Sequence, residues 1–228
     1  MSAARLVLAS ASPARLRLLR DAGVSPVVRV SSVDEPALLA SLPAAVRDDP
    51  VEHCRTLARA KALDVASVLA ADDSYRDCFV VGCDSVLDVA GVPYGKPADA
   101  AEALWRWENQ LSGRSAVLRT GHAVVRLSDG VAVDAVESTV VHFASPSAAE
   151  VAAYVATGEP VKVAGAFTLD GLAAPFVRGV EGDPSNVVGL SLPRLRLLLA
   201  DLGLRWPELW HSFPAPAGRG AEDADPPS

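Results

Sequence analysis

Two residues that could take part in chemistry frame the stretch VVGCDSVLDVAGVPYGKP, residues 80–97. Asp84 directly follows an apolar run that is typical of a buried strand, and Lys96 lies near the end of the stretch. A carboxylate at the edge of a core is unfavourable unless a cation or a ligand compensates it. Asp84 is therefore either a structural charge paired with Lys96 or the reacting centre of a site. Sites in α/β sheets gather at the carboxyl ends of strands, where Asp84 is predicted to lie.

The register of a predicted β-hairpin decides how Lys96 lies relative to Asp84. The turn falls at Ala90-Gly91. A two-residue turn places Ser85 opposite Lys96, whereas a three-residue turn with a left-handed glycine places Asp84 opposite it. Both registers bring the lysine close to the Asp84-Ser85 pair, and this stretch alone leaves the ion pair and the reactive site equally open.

A candidate anion site lies at the start of the first predicted helix, in SASPARLRLL, residues 10–19. A short strand enters a serine-rich turn, and the free N–H groups and positive dipole end of a helix N-terminus attract anions. Ser10 and Ser12 add hydroxyl donors, and Arg15 can fold back toward a bound phosphate. Taken alone, so short a motif is more often a plain capped helix with a surface arginine.

Lys61 lies on the apolar face of a predicted helix over residues 51–70, since Leu57, Ala58 and Val65 are its neighbours at helical spacing. A lysine there either extends its ammonium group to water, which is the commoner outcome, or meets an anion. Two further features are weaker. The loop at residues 181–195 either binds a ligand or only turns the chain, and Cys83 is interpreted as a small core residue rather than a nucleophile.

The elements that must position these residues alternate between helix and strand. Caps at Ser12, Pro13 and Gly23 bound the first helix. The other predicted helices cover residues 51–70, 98–111, about 145–157 and about 191–202. The predicted strands cover residues 5–9, 27–33, around 115–126 and 131–143, with a strand and hairpin in 80–97 and further strands in 161–180. Residues 37–50 are predicted as loop or weak helix. This alternation indicates an α/β domain with a mixed sheet over residues 1–212, followed by a disordered tail at 213–228.

Composition narrows the function classes. The chain has 228 residues and a formal net charge of −7, which argues against general nucleic-acid binding. Three cysteines without paired spacing indicate reduced thiols, and the four scattered histidines form no metal-ligand pattern with them. No apolar run is long enough for a membrane span, and no signal peptide is recognisable, so we expect a soluble cytoplasmic protein.

An ordered set of segments resembles the Maf family of nucleoside triphosphate pyrophosphatases. The resemblance covers residues 5 to about 200. The segments are LVLASASPARLRLLRDAG, VSSVDEP, ARAKA, VVGCDSVLDVAGVPYGKPADAAEAL, LSGR, RTGHAVV, YVATGEPVKVAGAFTLDGL and VEGDPSNVVGLSLPRL. Each segment alone is a weak signal, whereas their order and spacing together are highly specific.

The resemblance implies an elongated, two-lobed α/β fold like that of inosine triphosphatases, with a mixed sheet flanked by helices and a central cleft. It implies a metal-dependent hydrolase that cuts a nucleoside triphosphate between the α and β phosphates, with a role in clearing non-canonical or surplus nucleotides. An association with septum formation and division arrest comes with the family. The resemblance also allows a homodimer.

The family's site residues carry over to matching positions. Asp84 matches the proton acceptor. The residues that match the phosphate and substrate site are Ser10, Ser12, Arg15, Lys61 and Lys96. Glu35 matches the acidic residue after the second strand. With Asp84, it is the natural oxygen ligand of a divalent cation, Mg²⁺ or Mn²⁺.

The sequence departs from the family pattern at several positions. Ala14 stands where many members have a second arginine, and Ser85 stands where the usual residue is threonine. Asp170 occupies the position that is Gln in pyrimidine-preferring members and Glu in members acting on 7-methyl-GTP. Val163 replaces a frequent lysine, with Lys162 one residue earlier and expected on the other strand face. These changes bear on base preference, with Ser85 and Asp170 as candidate selectivity residues, and leave the hydrolytic residues in place.

Other functions stay open at this stage. A phosphohydrolase of different bond specificity would release orthophosphate. A non-catalytic nucleotide-binding regulator of cell division would bind nucleotide without turning it over. A nucleic-acid-binding module is disfavoured by the net charge and by the lack of a basic–aromatic stripe.

Overall fold

Seven strands form one mixed sheet in residues 5–210, the part of the chain that the computed structural model describes. The strands are β1 (Arg5–Leu8), β2 (Val27–Val28), β3 (Cys78–Val89), β4 (Val92–Tyr94), β5 (Ser115–Arg126), β6 (Ala132–Phe143) and β7 (Val177–Glu181). Their order is β2-β1-β3-β5-β6-β7, and β4 pairs with β3 beyond the end of β1. β1 runs parallel to β2 and β3, and the other pairs are antiparallel. The predicted mixed sheet is confirmed.

Eight α-helices flank this sheet in the same part of the chain. They are α1 (Pro13–Asp21), α2 (Glu35–Ser41), α3 (Ala44–Arg47), α4 (Pro50–Leu69), α5 (Ala100–Arg106), α6 (Ala148–Ala156), α7 (Pro184–Val188) and α8 (Leu192–Asp201). α5 continues into a π-helical turn at Trp107–Leu111. The predicted cap of α1 is confirmed, because the Ser12 hydroxyl accepts a hydrogen bond from the backbone N–H of Arg15.

The hydrophobic core divides into groups on the two faces and at the two ends of the sheet. Because side chains alternate along a strand, Leu6 and Leu8 of β1 face α1 and α8, whereas Val7 faces α4. A third group surrounds Trp107 at the far end. β3 passes from one end to the other: Cys83 belongs to the first group and Leu87 to the third. Asp84, next to Cys83, therefore lies between the first and third groups, which form the cores of two lobes.

A gap in hydrogen bonding along one edge of β3 marks this junction. On that edge, β1 pairs with β3 only as far as Val81, and β4 begins to pair only at Leu87. Residues 82–86 of β3 have no neighbouring strand there, although their other edge pairs continuously with β5. The gap opens at the carboxyl end of β1.

Two glycines let α4 lie directly on the sheet. A Cβ atom added at Gly82 would collide with the backbone oxygen of Ala58, and one added at Gly121 would collide with the backbone oxygen of Cys54. Side chains normally keep a helix farther from a sheet, so these two positions on β3 and β5 permit an unusually close approach. Lys61, one turn beyond Ala58, is thereby brought down to the level of β3.

The structure differs from the predicted elements in two places. β2 spans only Val27–Val28, because the chain turns away to α4, where Asp64 accepts hydrogen bonds from Ser32. Residues 37–50, predicted as loop or weak helix, contain α3 and most of α2, which agrees with the prediction. Residues 161–176 form 3-10 turns instead of strands, since Gly165 and Ala166 both adopt positive φ angles that break extended structure. The expectation that Lys162 lies on a strand face is therefore wrong, because Lys162 lies in one of these turns.

Two predictions remain: a disordered tail and the absence of a membrane-spanning segment. The predicted disordered tail, residues 213–228, lies outside the described residues. Within residues 5–210, no helix has both the length and the apolar character needed to span a membrane.

Candidate functional site

Asp84 lies in β3 at the gap, with its side chain directed to the face that α4 covers. The residue is only 8% exposed. Its Oδ1 atom lies 2.6 Å from Lys61 Nζ, so the carboxylate meets the lysine that the helical pattern placed on an apolar face. The alternative in which Lys61 extends its ammonium group to bulk water is wrong, since its side chain is 11% exposed and paired.

Glu35 brings a second carboxylate to the same ammonium group. Its Oε1 atom lies 2.9 Å from Lys61 Nζ, and its side chain remains 45% exposed. Asp34 caps α2 by accepting a hydrogen bond from the backbone N–H of Ala37, so Glu35 occupies the first turn of that helix. One buried and one accessible carboxylate thus share a single lysine.

Burial decides the proton affinity of Asp84. Removal from water raises the pKa of its carboxyl group above the ordinary value, although the charges of Lys61 and Arg15 act in the opposite direction. Glu35 adds a further upward contribution. A carboxylate whose pKa is raised in this way is a stronger base than an ordinary surface aspartate.

Arg15 occupies the other face of β3, next to Ser85. Its guanidinium group donates to Gly189 O at 2.7 Å, to Ser85 Oγ at 3.1 Å and to Ser10 Oγ at 3.2 Å. The hydroxyl of Ser10 also accepts from the backbone N–H of Ser12 at 3.2 Å. All of the hydrogen-bond partners of Arg15 in residues 5–210 are neutral oxygens, so the guanidinium group is oriented without forming a salt bridge.

A polar network behind Ser85 contains residues that the sequence did not single out. Ser85 Oγ lies 2.9 Å from Thr120 Oγ1, and Thr120 donates to Asn186 O at 3.2 Å. The Asn186 amide donates in turn to Leu118 O and to Thr139 Oγ1, each at 3.1 Å. The only local signal for this network was the polar character of Thr120 and Asn186 inside otherwise apolar segments.

The hairpin that carries Lys96 has a two-residue turn. Leu87 pairs with Tyr94 and Val89 with Val92, and both Ala90 and Gly91 have positive φ angles. The ladder ends at the Leu87–Tyr94 pair, and Lys96 follows it in a bend outside the strand. Lys96 is exposed and, within the described residues, forms no ion pair with Asp84, which pairs with Lys61 instead. The hypothesis of a structural Asp84–Lys96 pair is wrong, and the role of Lys96 as a phosphate ligand stays a prediction.

Asp170 lies in the loop that precedes β7, and its carboxylate forms a salt bridge with Arg17 of α1. The pair joins the two lobes, because α1 packs in the first core group and the loop containing Phe167 and Ala173 packs in the third. Asp170 is therefore tied to the helix that also carries Arg15. Its role in selecting the base stays a prediction.

Cys83 is fully buried next to Asp84. Burial raises the pKa of its thiol to about 11, so the thiolate is scarcely populated at neutral pH. The interpretation of Cys83 as a core residue is confirmed. The other two cysteines, Cys54 and Cys78, are also buried and free.

The donor set at the site suits a hard divalent cation only in part. Asp84 and Glu35 offer carboxylate oxygens that converge on one point, where Lys61 now lies. In residues 5–210, no group of three His, Cys, Asp or Glu side chains could by itself hold a metal ion. Mg²⁺ is commonly held by one or two carboxylates together with substrate phosphates and water, and the two carboxylates fit that pattern.

The fold and the site together define a mixed α/β protein in which a buried carboxylate and two cations surround a gap in the sheet beside a helix N-terminus. Such a site favours an anionic ligand. The chain belongs to the Maf family, because the family model described as Maf-like protein matches residues 5–202.

Two relatives cover nearly the whole chain. A protein of Rhodococcus opacus named nucleoside triphosphate pyrophosphatase is 56% identical over 218 residues, which are 94% of this chain and 98% of that protein. A protein of Streptomyces coelicolor with the same name is 55% identical over 206 residues, which are 90% of this chain and 94% of that protein.

A crystal structure of a nucleoside-triphosphatase, dITP/XTP pyrophosphatase, from Mycobacterium abscessus aligns with a TM-score of 0.35 and 16% identity. The alignment covers 62% of this chain and 75% of that one. This likeness is too low to bear on the fold or the activity.

Proposed function

We propose that this protein is a hydrolase that converts a nucleoside triphosphate to the nucleoside monophosphate and pyrophosphate. The observation that carries the proposal is the position of Arg15, a partly buried guanidinium group held by neutral oxygens at the gap in the sheet. A cation that is oriented but not paired is suited to an incoming anion. The relatives in Rhodococcus opacus and Streptomyces coelicolor, both named nucleoside triphosphate pyrophosphatase, indicate which anion to test.

The phosphate chain would lie between α1 and β3. Arg15 and the N-terminal N–H groups of α1 supply positive potential on one side of β3, with Ser10 and Ser12 as hydroxyl partners. Lys61 lies on the other side, and Lys96 is exposed just beyond the β3–β4 hairpin. A polyphosphate that enters the gap can therefore meet cations from both faces of the sheet.

Asp84 is the proposed proton acceptor. Its carboxylate is buried and its pKa is raised above the ordinary value, which makes it a stronger base toward an attacking water than an ordinary aspartate. Lys61 fixes the orientation of the carboxylate through the 2.6 Å contact. When phosphate oxygens enter, Lys61 can exchange part of its contact with Glu35 for a contact with the phosphate, because Glu35 is the more exposed of the two carboxylates.

A divalent cation, Mg²⁺ or Mn²⁺, is proposed as the cofactor, with Asp84 and Glu35 as its protein ligands. When bound, such an ion would polarise a phosphate oxygen and lower the pKa of a bound water. The residues of the chain hold the phosphate, orient the water and accept its proton. Glu35 would be the more adaptable of the two ligands, since its side chain is already partly in solvent.

The proposal is tested by a steady-state screen of canonical and modified nucleoside triphosphates with Mg²⁺ and with Mn²⁺, detecting pyrophosphate. We expect pyrophosphate release that requires one of the two metals and is lost on chelation. Orthophosphate as the primary product would assign the protein to a different phosphohydrolase class. Tight nucleotide binding without turnover under every condition would favour the non-catalytic regulator.

The screen also addresses base preference. Asp170 and Ser85 are the proposed selectivity residues, and Asp170 is held by Arg17. Clearance of non-canonical or surplus nucleotides and a homodimer are proposed from the family resemblance, and a cytoplasmic location is proposed from the three free cysteines.

A further inference from the structure

His122 is a buried histidine on β5 that the proposed reaction does not use. It is 0% exposed and lies opposite Cys83 in the β3–β5 ladder. Its Nε2 atom accepts a hydrogen bond from the backbone N–H of Ser191 at 2.8 Å. Because Nε2 is the acceptor, the ring is neutral and carries its proton on Nδ1. Burial lowers the pKa of His122 to about 3, so the acceptor is present throughout the neutral range.

The segment that His122 holds also supplies the strongest hydrogen bond to Arg15. Ser191 is two residues from Gly189, whose carbonyl accepts from Arg15 Nε at 2.7 Å. Leu190, between them, is fully buried. Gly189 ends α7 with a φ of 115°, and the Ser191 hydroxyl caps α8 by accepting from the N–H of Arg194 at 3.1 Å. Little freedom is left to the Gly189 carbonyl once the N–H of Ser191 is fixed.

The same strand anchors the preceding residues of the segment. Thr120, two residues before His122 on β5, donates to Asn186 O at 3.2 Å, and the N–H of Gly189 donates to that same carbonyl at 2.9 Å. Asn186 is itself 0% exposed. β5 thus holds the Gly189 turn from both sides, through Thr120 before it and His122 after it.

We propose that His122 is a positioning residue that orients Arg15 for the polyphosphate, acting through the Ser191 N–H and the Gly189 carbonyl. The identity of the anion rests on the proposed function, whereas the coupling between His122 and Arg15 does not. A neutral acceptor is needed at this position, because an imidazolium could not accept the N–H and would place a second positive charge near Arg15.

The test compares His122→Gln with His122→Leu. The glutamine carbonyl can replace Nε2 as acceptor for the Ser191 N–H, whereas leucine fills a similar volume without an acceptor. Dissociation constants for inorganic triphosphate and for an α,β-methylene nucleoside triphosphate are measured by calorimetry, with melting temperature as the fold control. We expect His122→Leu to weaken binding of both probes by about tenfold or more, which is the size of the loss of a well-directed hydrogen bond to a charged group. The dissociation constants of His122→Gln should stay within about threefold of the wild-type values.

A double-mutant cycle with Arg15→Met assigns the effect to Arg15. If His122 acts through Arg15, His122→Leu will have no further effect on triphosphate binding in the Arg15→Met background. Unchanged binding by His122→Leu, or equal losses in both backgrounds, would overturn the proposal and leave His122 a core residue only. If His122→Leu does not fold, His122→Asn, which keeps an amide but is too short to reach Ser191, replaces it with the same expectations.

The two proposals fail in different ways. Absence of pyrophosphate release with intact coupling in triphosphate binding would refute the proposed function and leave the role of His122 standing. Normal pyrophosphate release without coupling between His122 and Arg15 would support the proposed function and refute the role of His122.

Discussion

Replacing Gly82 with alanine tests whether the close approach of α4 places Lys61 against Asp84. The added Cβ atom would lie 2.7 Å from the backbone nitrogen of Ala62 and still closer to the backbone oxygen of Ala58. Ordinary carbon contacts begin near 3.4 Å, so the helix must move away by about 0.7 Å or more. These contacts are with backbone atoms, which cannot rotate aside as a flexible side chain can.

The displacement acts directly on the site, because Lys61 is the neighbour of Ala62 in α4. A shift of that size would stretch the 2.6 Å Lys61–Asp84 contact beyond good hydrogen-bond geometry. Misplacement of catalytic groups by about 1 Å can reduce rates by about a hundredfold, so we expect Gly82→Ala to lower kcat/KM by about 10- to 100-fold. Overpacking should also lower the free energy of unfolding by about 1–3 kcal/mol.

The assay is steady-state pyrophosphate release together with urea unfolding. Gly179→Ala is the matched control, since an added Cβ there meets no atom within 4 Å and the residue lies in β7, away from the site. The control should keep wild-type turnover and stability within about 0.5 kcal/mol, as is usual for unobstructed surface changes. A Gly82→Ala variant with wild-type turnover and stability would refute the inferred role of the close helix–sheet contact.

Two further predictions concern buried titratable groups, one charged and one neutral. Lys61→Met leaves Asp84 without its cation and should lower the free energy of unfolding by about 3–5 kcal/mol, with loss of turnover. Lys61→Arg should recover much of the stability. Urea unfolding at pH 7 measures both variants, and equal stability of the wild type and the two variants would contradict the pairing. For His122, the pKa is about 3 in the folded state and 6.5 when unfolded, so below pH 6.5 the unfolded chain binds the extra proton and stability falls as pH falls. Between pH 7 and pH 4 the wild type should lose up to about 3 kcal/mol more than His122→Gln, and parallel pH profiles of the two proteins would count against a buried neutral histidine.

Much of the fold follows from local patterns. The caps at Ser12 and Pro13, the apolar face around Lys61 and the two long alternating strands each gave elements that agree with the structure to within a few residues. β2 was overestimated because the Ser32–Asp64 contact that ends it joins residues far apart in sequence. Local composition cannot reveal such a contact.

The site was predictable in its residue types but not in its pairings. The apolar setting of Lys61 predicted an anionic partner, yet only the tertiary fold selects Asp84 and Glu35. Lys96 was placed close to Asp84 because both hairpin registers allowed it. The two-residue turn depends on a positive φ at Ala90. Alanine seldom adopts such an angle, so the sequence of the turn does not suggest it.

The supporting network around Arg15 was missed for a similar reason. Thr120, His122 and Asn186 are polar residues within apolar segments, and each contacts groups far away along the chain. A polar residue at a core position indicates that some partner must exist, because an unsatisfied buried group is unfavourable. The partner itself becomes visible only when β5 and the Gly189 turn are brought together.

The central claim is that water attacks the α-phosphate of a bound nucleoside triphosphate with Asp84 as proton acceptor. The most direct measurement is the distribution of ¹⁸O among the products when the reaction is run in labelled water, read by ³¹P NMR or mass spectrometry for the wild type and for Asp84→Asn. We predict nucleoside monophosphate carrying the label, unlabelled pyrophosphate, and loss of most turnover in Asp84→Asn. This variant should stay folded because asparagine keeps the shape of Asp84 and Glu35 still pairs with Lys61. Label in pyrophosphate, release of nucleoside diphosphate and orthophosphate, or near-normal turnover by Asp84→Asn would contradict this account.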